Sequence, residues 1–145
     1  MILTPDNPGT PFRRIATIGS FDGVHRGHRY MLEQLIEKSR VLRLRSAVIT
    51  FVSHPRVVTV GHAPILTDLD MKLRLIDTIG VDDVVLLEFD NRLRRMSAVD
   101  FMKYIKLEFG VEALLLGFNN RFGSDRMTEF DDYCRKGAEV GVAVY

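Results

Sequence analysis

Residues Arg14 to Leu42 read RIATIGSFDGVHRGHRYMLEQLIEKSRVL. The opening RIATIG is a short β-branched run, and HRYMLEQLIEKSRVL places Met31, Leu32, Leu35 and Ile36 at helical spacing with charges on the other face. Between them, GSFDGVHRGH crowds glycines, an aspartate and two histidines into the join. A strand, a glycine-rich turn and a helix make the first part of a βαβ unit. Gly19 and Gly23 permit backbone turns that a Cβ would block, and Gly27 lets the chain lie against a ligand where the helix begins. A helix N-terminus offers unpaired N–H groups and a positive dipole end, which favours anions. His25 and His28 sit near that end, where imidazoles can donate hydrogen bonds to phosphoryl oxygens.

Other readings of the stretch stand beside the phosphate one. It is not G-x-x-x-x-G-K-[ST], because no lysine follows at the required place, and it is not G-x-G-x-x-G, which argues against a dehydrogenase-type dinucleotide site. Two histidines three apart on a helix could ligate zinc, with Asp22 or His54 as a third ligand. The bland alternative is a capped helix with solvated histidines.

The rest of the chain repeats the strand–helix alternation. SAVITF (Ser46 to Phe51), DVVLLEF (Asp83 to Phe89) and EALLLGF (Glu112 to Phe118) read as strands, and VAVY begins a fifth. TDLDMKLRLIDTIG reads as a helix with Thr67 and Asp70 at capping-box spacing, an apolar stripe of Leu69, Leu73 and Ile76, and Gly80 as its stop. SAVDFMKYIKLEFG repeats the device with Ser97, Asp100 and Gly110; its Met96, Phe101, Met102 and Ile105 stripe reads as core. EFDDYCRKGAEVG is a further helix. Residues 1–13, with Pro5, Pro8 and Pro11, read as an irregular lead-in to one domain over 14–145.

This alternation predicts an α/β fold with a parallel sheet covered on both faces, and places ligands outside the carboxyl ends of the strands. GSFDGVHRGH, VSHP and NNRFGSDR all fall at those ends, so several loops are expected to build one crevice.

The bounds agree with an ordinary globular domain. The chain has 145 residues, 46% hydrophobic and 27% charged, with 20 basic residues against 19 acidic ones. That near balance does not indicate a nucleic-acid partner. One cysteine, Cys134, allows no disulfide framework, and it has no His or acid partner in sequence that would mark a nucleophile. The opening MILTPDNPGTPF does not read as a secretory signal, and no apolar run approaches the ~20 residues of a bilayer span. A cytoplasmic setting without membrane association is the expectation.

Four motifs, GSFDGVHRGH, TFVSHP, FDNRLRRMSAVDFM and GFNNRFGSDR, occur in order between Arg14 and Tyr145. Together they resemble the FMN adenylyltransferase (FAD synthetase) domain of bacterial bifunctional riboflavin kinase/FAD synthetases, in the histidine-glycine-histidine nucleotidylyltransferase superfamily. The resemblance implies a Rossmann-like three-layer α/β/α domain around a five-stranded parallel sheet of nucleotidylyltransferase type. It implies transfer of AMP from ATP to the phosphate of FMN, giving FAD and pyrophosphate with Mg²⁺ accompanying ATP. On these residues it implies an ATP site over Gly19, Ser20, Phe21, Asp22, His25, Gly27 and His28, with His25 and His28 on the phosphates. Thr50, Phe51, His54 and Pro55 fall on the flavin side, as do Gly117, Asn119, Phe122 and Gly123, with Phe51, Pro55, Asn119 and Phe122 as the flavin-binding set. Asn120 stands where the family often has Phe.

The chemistry suits these residue types, because adenylyl transfer needs positioning and charge stabilisation more than a protein nucleophile. Asp22 either shapes the turn or helps place Mg²⁺. Arg121 and Arg126 either face phosphates or are solvated. Two rival readings remain: a nucleotidylyltransferase with a different phosphate-bearing acceptor, and a non-catalytic nucleotide- or flavin-binding module. The resemblance also implies a fused riboflavin kinase domain and an I-S-S-T-x-I-R triphosphate-binding segment beyond "VAVY". Neither occurs in these 145 residues, so weak nucleotide or flavin binding and little or no turnover by this stretch alone are expected.

Overall fold

Strand β2 (Arg14–Ile18) is buried along its whole length, which requires a covering layer on each side. The computed structural model supplies both. It describes residues 1–21, 26–52, 59–60, 63–64, 68–117 and 121–145. Chain order is β1 (Ile2–Leu3), β2, α1 (Arg26–Leu42), β3 (Arg45–Val52), β4 (Thr59–Val60), β5 (Ala63–Pro64), α2 (Asp68–Ile79), β6 (Asp83–Glu88), α3 (Asn91–Arg95), α4 (Ala98–Phe109), β7 (Val111–Leu114), α5 (Phe130–Val140) and β8 (Ala143–Val144). The main sheet runs β1-β6-β3-β2-β7-β8 with every neighbouring pair parallel, while β4 and β5 form a separate antiparallel pair.

Successive residues of a strand face opposite sides of the sheet. Ile15, Val48, Val84 and Ala113 therefore share one cluster with Leu32 and Leu35 of α1 and Ile76 of α2. Ala16, Ile18, Ala47, Ile49, Val85, Leu87 and Leu114 pack on the other side against Phe101, Met102 and Ile105 of α4 and Tyr133 of α5. The result is the expected three-layer α/β/α arrangement.

Two corrections follow. The sheet has six strands, not five, because the lead-in contributes β1, paired to β6 with Leu3 fully buried. Two residues are too few for a periodic signal, and the prolines nearby mask it. A short helix, α3, also precedes α4; Asp90 caps it by accepting from the Leu93 N–H at 2.8 Å. The caps read for α4 are present: Ser97 Oγ accepts from Asp100 N, and Gly110 ends the helix at φ 66°. The Thr67 cap lies outside the described residues.

At the amino ends of the strands a buried ionic cluster ties three of them together. Arg14 Nε donates to Asp83 Oδ2 at 2.8 Å, and Arg45 donates through Nε and Nη2 to the two carboxylate oxygens at 2.9 Å each. Arg14 Nη1 also donates to the Phe109 carbonyl at 2.7 Å. This cluster fixes the end of the sheet remote from the candidate site.

Candidate active site

From β2 the chain steps outward to β3 and β6, then returns to place β7 on the other side of β2. Such a reversal opens a crevice at the carboxyl ends of the strands, where α/β proteins bind ligands. The stretches after β2, β3, β6 and β7 are the ones that carry the four motifs.

The turn after β2 is held by named bonds. Gly19 N donates to the Ile49 carbonyl at 3.0 Å, which continues the sheet ladder by one step. The Ser20 carbonyl accepts from Lys72 Nζ of α2 at 2.5 Å and from Thr50 Oγ1 of β3 at 3.2 Å. Phe21 follows at φ 52°, a backbone region unfavourable for a bulky side chain, and is nevertheless buried. Its ring lies over Gly19, where an added Cβ would stand 2.8 Å from Phe21 Cε2. The ring also reaches the half-buried imidazole of His28, 5.1 Å between centroids and tilted by 58°. Strain of this kind costs about 1–3 kcal/mol and recurs at ligand clamps. Gly27 and His28 fall in the first turn of α1, which carries no acidic residue to compete for an anion. Asp22 and His25 lie outside the described residues.

At the carboxyl end of the sheet, on the α4/α5 side, an aromatic cluster forms. Phe51 at the end of β3 lies 5.4 Å from Phe89 and 6.4 Å from Phe101; Phe122 lies 5.5 Å from Phe101 and 4.9 Å from Tyr133. The Tyr133 hydroxyl accepts from Phe122 N at 3.1 Å and stands 2.9 Å from the Met127 carbonyl, to which it can donate. The loop is pinned further. Ser124 N donates to the Met96 carbonyl at 2.8 Å, and Asp125 Oδ1 accepts from Ala98 N at 3.0 Å. Gly123 sits at φ 99°, where a Cβ would approach Ala98 N to 2.6 Å. Arg121, Phe122, Gly123, Arg126, Met127 and Thr128 line an open pocket of about 260 Å³. Arg121 and Arg126 are both exposed there.

The structure thus brings Gly19, Ser20, Phe21 and His28 into one turn, and gathers Phe51 and Phe122 around Phe101. Thr50 departs from the flavin-side expectation: its hydroxyl points into the α1/α2 side, opposite to Phe51. His54, Pro55, Asn119 and Asn120 lie outside the described residues. Among the described residues no three His, Cys, Asp or Glu side chains gather as ligands for a metal. Cys134 directs its thiol to the Val144 carbonyl at 3.7 Å, and burial pushes its pKa up, away from a nucleophile's. The sequence reading missed Lys72, Tyr133 and Asp125. Lys72 did leave a signal, since it occupies the inward face of α2 together with Leu69, Leu73 and Ile76. Tyr133 and Asp125 left none in their spacing.

Residues 9–145 match the family described as FAD synthetase. The chain is 38% identical over 144 residues to a bifunctional riboflavin kinase/FMN adenylyltransferase of Pseudomonas fluorescens, covering 98% of this chain and 45% of that protein. It is 37% identical over 134 residues to the protein of the same description from Escherichia coli (strain K12), covering 88% of this chain and 42% of the relative. The chain therefore spans less than half the length of these curated relatives. A crystal structure titled as a macrolide-efflux protein from Streptococcus pneumoniae aligns with a TM-score of 0.75 and 25% identity, covering 99% of this chain and 49% of that one. Among the described residues no helix is long and apolar enough to cross a membrane.

Proposed function

This chain belongs to the FAD synthetase family, and we propose that its crevice transfers AMP from ATP to the phosphate of FMN. The observation that carries the proposal is the presence, at the carboxyl end of one sheet, of two unlike half-sites on its two faces. One is an imidazole braced at the start of α1 by Phe21; the other is an aromatic shelf of Phe51 and Phe122.

In the proposed reaction an oxygen of the FMN phosphate attacks the α-phosphorus of ATP. The bond from that phosphorus to the bridging oxygen breaks, and the electron pair leaves with pyrophosphate. No protein nucleophile is required. His28, with His25, donates hydrogen bonds to phosphoryl oxygens whose charge grows in the transition state, and the N–H groups opening α1 face the same charge. Mg²⁺ arrives with ATP as part of the substrate, held chiefly by its phosphates, with Asp22 as the candidate protein ligand. The flavin ring lies against Phe51 and Phe122, with Pro55 and Asn119 completing its side. The relatives are named for two activities, and this chain corresponds to the adenylyltransferase part over 14–145. A cytoplasmic setting fits its single free Cys134.

Equilibrium titration tests the two half-sites. FMN fluorescence should be quenched on binding, and ATP should bind without displacing FMN. Mutual displacement would mean a single shared pocket and would contradict the proposal.

A further inference from the structure

The Ser20 carbonyl receives donors from two separate elements. Lys72 Nζ of α2 donates at 2.5 Å and Thr50 Oγ1 of β3 at 3.2 Å, and the ammonium stands 3.3 Å from the Thr50 hydroxyl. Lys72 is 8% exposed and Thr50 is fully buried. Burying an ammonium carries a desolvation cost that a leucine on the same helix face would avoid, so packing does not explain the lysine. The next residue does. Phe21 turns through φ 52° and lays its ring on Gly19 and His28. An unfavourable backbone conformation persists only where its surroundings over-determine it, and the doubly held Ser20 carbonyl is the nearest such restraint.

We infer that Lys72 is a positioning residue for the phosphate site. With Thr50 it clamps the Ser20 carbonyl, holds Phe21 in its left-handed turn, and thereby fixes where His28 presents its ring. Lys72 reaches the reaction through this turn. The inference rests on the reading of His28 as a phosphate-binding group, but the clamp itself can be tested without it.

The test uses Lys72→Met, Thr50→Val and Thr50→Ser in the whole chain. Thr50→Val keeps the shape and removes the hydroxyl, so it serves where Lys72→Met fails to fold; Thr50→Ser restores a hydroxyl. Two measurements are made on each: the nuclear Overhauser contact between the Phe21 ring and the His28 ring, and single-turnover FAD formation from ATP and FMN. The expected result is a lost or weakened Phe21–His28 contact in the Met and Val variants. Transfer should slow by about 10²-fold, the scale of a misplaced catalytic group, with the FMN dissociation constant unchanged and Thr50→Ser close to wild type. An intact Phe21–His28 contact in folded Lys72→Met or Thr50→Val would overturn the inference, as would equal losses for FMN and for transfer. A wild-type chain that binds no ATP would remove the phosphate reading instead, and the ring contact would still decide the clamp.

Discussion

The ring of Phe21 and the imidazole of His28 lie 5.1 Å apart, although Phe21 must adopt φ 52° to reach that position. Local strain is spent on placing one histidine at the start of one helix. His28→Ala should therefore lower adenylyl transfer by roughly 10²-fold or more, the scale for losing one preorganised donor. His28 is half-buried at a loop–helix junction, so the melting temperature should change little. Rate and thermal melting measured on the same preparation check both halves of this expectation.

The two half-sites should respond separately. Phe122→Leu and Asn119→Ala should weaken FMN far more than ATP, and His25→Ala should do the reverse. Loss of aromatic stacking is worth about 1–3 kcal/mol by analogy with base stacking, which a titration resolves. Phe122 also packs on Tyr133, 4.9 Å between ring centres, so leucine is the cleaner replacement than alanine. Equal losses for the two ligands would show that these residues only support the fold.

Gly123→Ala should be destabilising and should also loosen the flavin side. The position has φ 99°, and an added Cβ would stand 2.6 Å from Ala98 N, a backbone atom that cannot yield cheaply. A loss of about 2–4 kcal/mol in denaturant unfolding is expected, the range for forcing a Cβ into such a site. Weaker FMN binding should accompany it, because Phe122 precedes this residue.

Acid sensitivity should trace to Asp83. Burial alone would push its carboxyl up, but the bonds from Arg45 and Arg14 outweigh that and hold it below the ordinary carboxylate value. A carboxyl lowered on folding contributes stability that is fully present above its unfolded pKa of about 3.9. That stability is lost as pH falls through the lower folded value. Wild type should lose this contribution only below about pH 4. Asp83→Asn should be less stable at neutral pH by about 3–5 kcal/mol, the cost of stranding the buried Arg14 charge. Its stability should change less than that of wild type across the acid window. Urea unfolding at several pH values measures both.

The alternation of β-branched runs with amphipathic stretches made the three layers legible, because each strand is long enough to show its period. β1 was not legible: Ile2 and Leu3 are strand only because β6 lies beside them. In the candidate site, glycines and histidines stand out by residue type, so the sequence alone singles out Gly19, Gly27 and His28 as candidates. The inward face of α2 marks Lys72 as unusual but not its partner, the Ser20 carbonyl far away in sequence, and Tyr133 bonds loop backbone at Phe122 and Met127 that no periodic pattern ties to it. Thr50 shows the same limit, since its motif gives the residue but not the face of the sheet to which its hydroxyl turns.

The central claim is that this crevice makes FAD. The direct measurement is a single-turnover incubation with protein in excess over FMN, together with ATP and Mg²⁺, followed by chromatographic detection of FAD and pyrophosphate. The account predicts equal amounts of the two products from the wild-type chain and at least a roughly 10²-fold slower appearance with His28→Ala. FAD formed equally fast by a folded His28→Ala chain, or FAD and pyrophosphate formed in unequal amounts, would contradict it.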